Sequence, residues 1–127
     1  MKGFGDQNKV NKKSKKHKPT EKIINQAIQL HLQGNIMEAK KYYKYCIDQD
    51  INDPRIFSNY GAIEEGLGKL EEAANWYCKA IELNPNFANA HSNLGNVMRD
   101  LGKLKEAELS TRKAIELNPN FANAHSN

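Results

Sequence analysis

Four asparagines, Asn25, Asn59, Asn93 and Asn127, recur every 34 residues. A carboxamide both donates and accepts hydrogen bonds, so a row of them can hold a peptide main chain whatever side chains it carries. The residues that could break bonds are arranged less purposefully. Among His17, His31, His91 and His125, none has a second His or Cys three or four residues away. His91 and His125 occupy the same place in successive copies of one stretch and so read as repeated structural residues, not as a metal pair. Glu64-Glu65 and Glu71-Glu72 bracket a glycine turn. Paired carboxylates do acid–base work only where burial splits their pKa values, and a polar turn does not supply that. Gly61–Lys69 has the glycines of a phosphate loop, but Leu67 stands where its Lys must follow Gly66, and no strand precedes it. Cys46 and Cys78 have no His/Asp arrangement in the sequence to activate them. The expectation is no catalytic residue, no metal and no cofactor.

The elements that position the asparagines come from a repeat. Lys79–Asn93, KAIELNPNFANAHSN, returns letter for letter as Lys113–Asn127. A period in this range signals units that each bury one face against the next. The punctuation repeats too, with Gly34, Gly68 and Gly102 one period apart, and Pro85 and Pro119 likewise. Between these marks, apolar residues fall three and four apart, which predicts helices. The first follows Pro19-Thr20, with Thr20 as cap. Later helices span about 37–48, 54–67, 70–83, 88–101 and 104–117, with Asp53 capping the third and Pro54 at its first position. Small residues recur at fixed slots (Ala27, Gly61, Gly95; Ala39, Ala73, Ala107; Cys46, Ala80, Ala114) beside large ones (Ile36, Leu70, Leu104; Ile47, Ile81, Ile115). That alternation lets helix ridges interdigitate.

Charge separates the chain into two parts. Residues 1–22 carry eight Lys against Asp6 and Glu21, while the remainder is slightly acidic, within an overall net charge of +4. Residues 1–19 hold too little apolar surface to offset their ordering entropy and are expected to be a disordered basic tail. Lysines 1–18 suit weak contact with a polyanion such as RNA, although the aromatics that stack on bases are not interleaved with them. No apolar run reaches the roughly 18 residues of a membrane span, and no apolar stretch follows the basic N-terminus as in a secretory signal. Two cysteines at unrelated slots suggest free thiols in a reducing cytosol, one packed and one at the surface; the expected localisation is cytoplasmic.

The slots resemble tetratricopeptide repeats. In the middle unit Phe57, Tyr60-Gly61, Ala73, Tyr77, Ala80 and Pro85 fill the family pattern. In the next, Leu94-Gly95, Met98, Ala107, Ala114 and Pro119 do, with His91 and Thr111 departing at the two aromatic slots. The first unit is weaker, with Gln26, Cys46 and Ile51 at the Leu, Ala and Pro slots. The resemblance implies an all-α fold, a right-handed α-solenoid of three antiparallel helix pairs over residues 20–127. Its repeats are 20–53, 54–87 and 88–121, with a truncated fourth unit over 122–127. It further implies a concave groove, lined by the first helix of each pair, that binds a peptide or protein. The groove residues are then Asn25, Asn59, Asn93, Asn96, Arg99, Ser58, Ser92, Glu65 and His31, with Ala62 beside them. The asparagine row resembles the ladder of the O-linked N-acetylglucosamine transferase family. The carboxylate clamp of chaperone-tail binders is disfavoured: its Lys and Arg slots hold Ile24, Ile28, Asn89 and Asn93, and only Asn59 matches.

The sequence thus suggests a non-catalytic protein-interaction module. Two alternatives stay open: a polyanion-binding adaptor acting through the tail, and the substrate-docking front part of a longer transferase. Leu104, Ala107, Ala114, Ile115 and Leu117 are expected to be partly bare, leaving the last helix a surface for self-association.

Overall fold

The computed structural model describes residues 20–120, and all of their regular structure is helical. They fall into two compact units that divide between Ile51 and Asn52. The tail over 1–19 and the partial repeat over 122–127 lie outside the described residues.

The first unit is one helix hairpin. Helix α1 covers residues 20–32 and α2 covers Ile36–Asp48. Gly34 turns the chain between them at φ 84°, a left-handed conformation that costs a residue without Cβ little. The Asn35 N–H then donates to the Leu30 carbonyl at 2.9 Å and satisfies one of the orphaned groups at the end of α1. Ile24, Ala27, Ala39, Tyr43 and Cys46 are buried. This unit ends unlike the others. Asp50 takes φ 57°, and the Ile51 N–H closes back on the Cys46 carbonyl at 3.0 Å. A proline at position 51 would lack that N–H. Where Pro85 and Pro119 do stand, the chain leaves in extended conformation at Asn84 and Asn118. Each of those side chains accepts from the N–H two residues on, at 3.1 Å.

The second unit is two stacked hairpins: α3 (Pro54–Gly66), α4 (Leu70–Leu83), α5 (Ala88–Asp100) and α6 (Leu104–Leu117). Each helix packs on the next, and α3 also lies beside α5. The sequence explains the entry to α3. Asp53 accepts from the Arg55 N–H at 2.9 Å, and Pro54 sits in the first turn, where no N–H is needed. The core joins Ala73, Ala74 and Tyr77 of α4 to Leu94 and Val97 of α5, flanked by Leu70, Ile81, Met98 and Leu101. Burying each large aliphatic there stabilises the unit by about 1.5–3 kcal/mol. Gly61 and Gly95 set the helix spacing. A Cβ at Gly61 would meet the Tyr77 ring at 2.9 Å, and one at Gly95 would meet Thr111 Oγ1 at 2.5 Å.

Helix ends differ from the expected ones by a residue, and Thr20 lies within α1 instead of capping it. The expectation of a partly bare final helix holds at Leu104, Ile115 and Leu117 but needs correcting at Ala107 and Ala114. Ala107 and Ala114 are buried at 7% and 1% because their small side chains face α5. The exposed apolar residues of α6 are Leu104 and Leu109, at 66% and 65%.

Candidate peptide-binding surface

The three described asparagines of the row, Asn25, Asn59 and Asn93, each come from the first helix of a pair. Asn59 on α3 and Asn93 on α5 occupy the same slot of neighbouring helices, and both are half-buried. Asn96 and Ser92 flank Asn93, also half-buried, and Ala62 lies one turn along α3 from Asn59. The second unit therefore carries two ladder members on adjacent helices, with further polar groups along α5. Asn25, on α1 of the first unit, is exposed. Asn127 lies outside the described residues.

The remaining expected groove residues are placed differently. Ser58 is only 4% exposed, because α3 is buried on nearly every side over Ile56–Gly61, so its hydroxyl is closed to a partner. His31, Glu65 and Arg99 are one slot, one period apart, and each faces a slot on its partner helix. In the first unit His31 Nδ1 lies 3.2 Å from the Tyr43 hydroxyl, with the rings edge to face at 5.8 Å. In the second unit Tyr77 donates to Glu65 Oε1 at 2.7 Å. Both bonds tie the two helices of a hairpin together. Desolvation by burial lowers the His31 pKa. Burial, then the hydrogen bond and charge of Glu65, push the Tyr77 hydroxyl far above its ordinary value, so Tyr77 stays a donor. In the third pair Thr111 replaces the tyrosine, and Arg99 donates instead to Asn96 Oδ1 at 2.9 Å on its own helix. This pairing was readable from the spacing, since 31/43 and 65/77 are both twelve apart and recur with the period.

The aromatics on the second helices are mostly structural. Tyr43 and Tyr77 are fully buried. Trp76 stacks on Phe57 at 5.8 Å and 7° between planes and meets Tyr60 edge-on at 5.0 Å. The Lys79 ammonium lies 5.2 Å from the centre of the Phe57 ring. Tyr45 remains 49% exposed, and with Tyr42, Ile23 and Gln26 it lines a shallow hollow of the first unit. Cys46 is buried and Cys78 exposed, both as free thiols. Burial and the neighbouring Glu82 carboxylate raise the Cys78 pKa, which disfavours its reactive thiolate. Among the described residues no group of three or more His, Cys, Asp or Glu is arranged to hold a metal ion. No helix among them is long and apolar enough to cross a membrane.

The paired helices with glycine turns and small buried slots match two family models: TPR repeat over residues 66–102 and Tetratricopeptide repeat over 88–121. The chain is a tetratricopeptide repeat protein. Solved structures of this fold resemble it over most of its length. The first TPR of Spaghetti (RPAP3), bound to the HSP90 peptide SRMEEVD, superposes with a TM-score of 0.73 at 27% identity, covering 80% of each chain. The translocator chaperone SycD of Yersinia enterocolitica type III secretion gives a TM-score of 0.72 at 22% identity, over 84% of this chain and 83% of that one. MamA gives a TM-score of 0.75 at 23% identity, over 89% of this chain and 67% of its own. No curated protein sequence matches the chain. The tetratricopeptide fold and its buried slots make this an all-α protein-interaction module.

Proposed function

We propose that this interaction module is non-catalytic and binds the main chain of an extended peptide along the α3–α5 face, through Asn59 and Asn93 with Ser92 and Asn96 beside them. The observation that carries the reading is the placement of two identical carboxamides, at one slot of two adjacent helices, half-open to solvent. Successive carboxamides suit successive peptide units, because each offers a donor and an acceptor to a group that needs both. The Spaghetti repeats are bound to the HSP90 peptide SRMEEVD, which carries two Glu and a final Asp. This chain is less suited to such an end. Its clamp slots hold Ile24, buried at 1%, and Ile28, Asn89 and Asn93 in place of cations. A backbone-directed, weakly charged mode fits its residues better.

The test is a pull-down with the full chain and with the double variant Asn59→Ala, Asn93→Ala, followed by titration of any captured peptide. The double variant is expected to lose most affinity while its melting temperature barely moves, since neither side chain is fully buried. Unchanged affinity would remove the ladder. Removal of residues 1–18 is the control: if that deletion, or high salt, abolishes all capture, the lysine tail acting on a polyanion explains binding better.

A further inference from the structure

The asparagine face changes character where α3 and α5 end. Gly66 is the last residue of α3 and Asp100 the last of α5, and the two are one slot, one period apart. Each follows Asn59 or Asn93 by two helical turns, so it continues the same face about 10.5 Å along the axis. Neither residue is explained by its own helix. The left-handed turn after α3 is made by Gly68, at φ 82°, and Gly66 is outside that region. A Cβ at Gly66 would meet nothing within 4 Å. Neither backbone nor packing asks for a glycine there, and alanine would favour the helix. Asp100 puts a negative charge on the negative end of a helix, which is unfavourable. It is exposed, and no ion pair among the described residues offsets it. Of the cations in the adjoining turns, Lys69 lies 3.9 Å from Glu64 and Arg99 donates to Asn96. Gly66 stays exposed although α5 lies beside α3, so this slot is open within the stack and not only at its end.

We infer that this end of the face receives a lysine or arginine side chain of the bound peptide, with its stem over Gly66 and its cation on the Asp100 carboxylate. The inference rests on the asparagine ladder as the seat of the peptide main chain and names the residue class that the ladder itself cannot choose. Carboxamides hold a main chain of any sequence, so selectivity has to come from beside them. Charge decides the class. The C-terminal ends of α3 and α5 both carry partial negative charge, and Glu65, oriented by the Tyr77 hydroxyl at 2.7 Å, adds a carboxylate next to Gly66. An acidic side chain would be repelled here, and an apolar one would leave Asp100 without a partner. Length decides too. The Asp100 carboxylate lies two turns from Asn93, so a long stem is needed, and the missing side chain at Gly66 leaves its path clear.

The probe is a phage-displayed library of random peptides, panned on the full chain, on Asp100→Asn and on the double variant Asn59→Ala, Asn93→Ala. The chain is expected to enrich peptides with lysine or arginine at one fixed position, and Asp100→Asn to lose that enrichment. An enriched peptide is then synthesised with its basic residue or with norleucine in that place, and both are titrated by fluorescence anisotropy. Norleucine should cost about three- to tenfold in affinity for the chain, the worth of an ion pair partly covered by the ligand, and nothing for Asp100→Asn. Gly66→Leu blocks the path of the stem and should weaken the basic peptide while the melting temperature holds or rises, which a glycine needed only for the fold would not allow. Among peptides that lose affinity for the asparagine double variant, three results overturn the inference and leave the ladder standing: no shared basic residue, an acidic residue in its place, or an equal cost of norleucine in Asp100→Asn. Peptides bound equally by the double variant, yet still coupled to Asp100, would remove the ladder and keep this site. No enrichment over the bare support would overturn both.

Discussion

Gly95→Ala tests the close approach on which the second unit depends. Inside a helix the change alone favours alanine by about 0.5–1 kcal/mol. Against that, the new methyl would stand 2.5 Å from Thr111 Oγ1 and 3.3 Å from both the Ala107 carbonyl oxygen and the Thr111 nitrogen. The hydroxyl can rotate, but the two backbone atoms cannot, so α5 and α6 must move apart. Overpacking of this kind costs about 1–3 kcal/mol, leaving a net loss of about 0–2.5 kcal/mol. Thr111→Ala removes the nearest atom and, at a half-buried site, should itself cost under about 1 kcal/mol. The double variant should then be more stable than the sum of the singles predicts, with a coupling of about 1 kcal/mol. Urea unfolding followed by far-UV circular dichroism measures all four corners of this cycle. A stabilised Gly95→Ala variant, or additive singles, would refute the claim that this glycine sets the α5–α6 spacing.

Two further outcomes follow from the hydrogen bonds. Burial would raise the Asp53 pKa, but the side-chain and backbone hydrogen bonds and the charge of Arg55 together hold it below its usual 3.8. Asp53 therefore contributes stability above pH 3.8 that disappears as pH falls through its lower folded value. Asp53→Asn should keep the cap but flatten this acid limb, whereas Asp53→Ala should also cost about 1 kcal/mol at neutral pH, both read from melts across pH. Tyr77→Phe removes the bond to the half-buried Glu65 and should cost about 1 kcal/mol, against about 3–5 kcal/mol for Tyr77→Ala; equal losses would mean the hydroxyl, not the ring, holds the hairpin.

The sequence determined the elements and their register. Glycines one period apart forced left-handed turns, because only a residue without Cβ takes that conformation freely, and the spacing of apolar and small residues sufficed to pair the helices. It also placed Asn59 and Asn93 at one slot, since identical positions in stacked copies share a face. Only the tertiary structure decided which of the polar residues remain open. Ser58 is closed by packing on several sides of α3, and Glu65 and His31 spend a polar group on a tyrosine of the partner helix. The sequence showed that Thr111 departs from the aromatic slot. It could not show that Arg99 then turns back to Asn96 on its own helix, because that depends on what the facing helix no longer offers. Periodicity is a property of one chain segment at a time, whereas burial is a sum over distant ones.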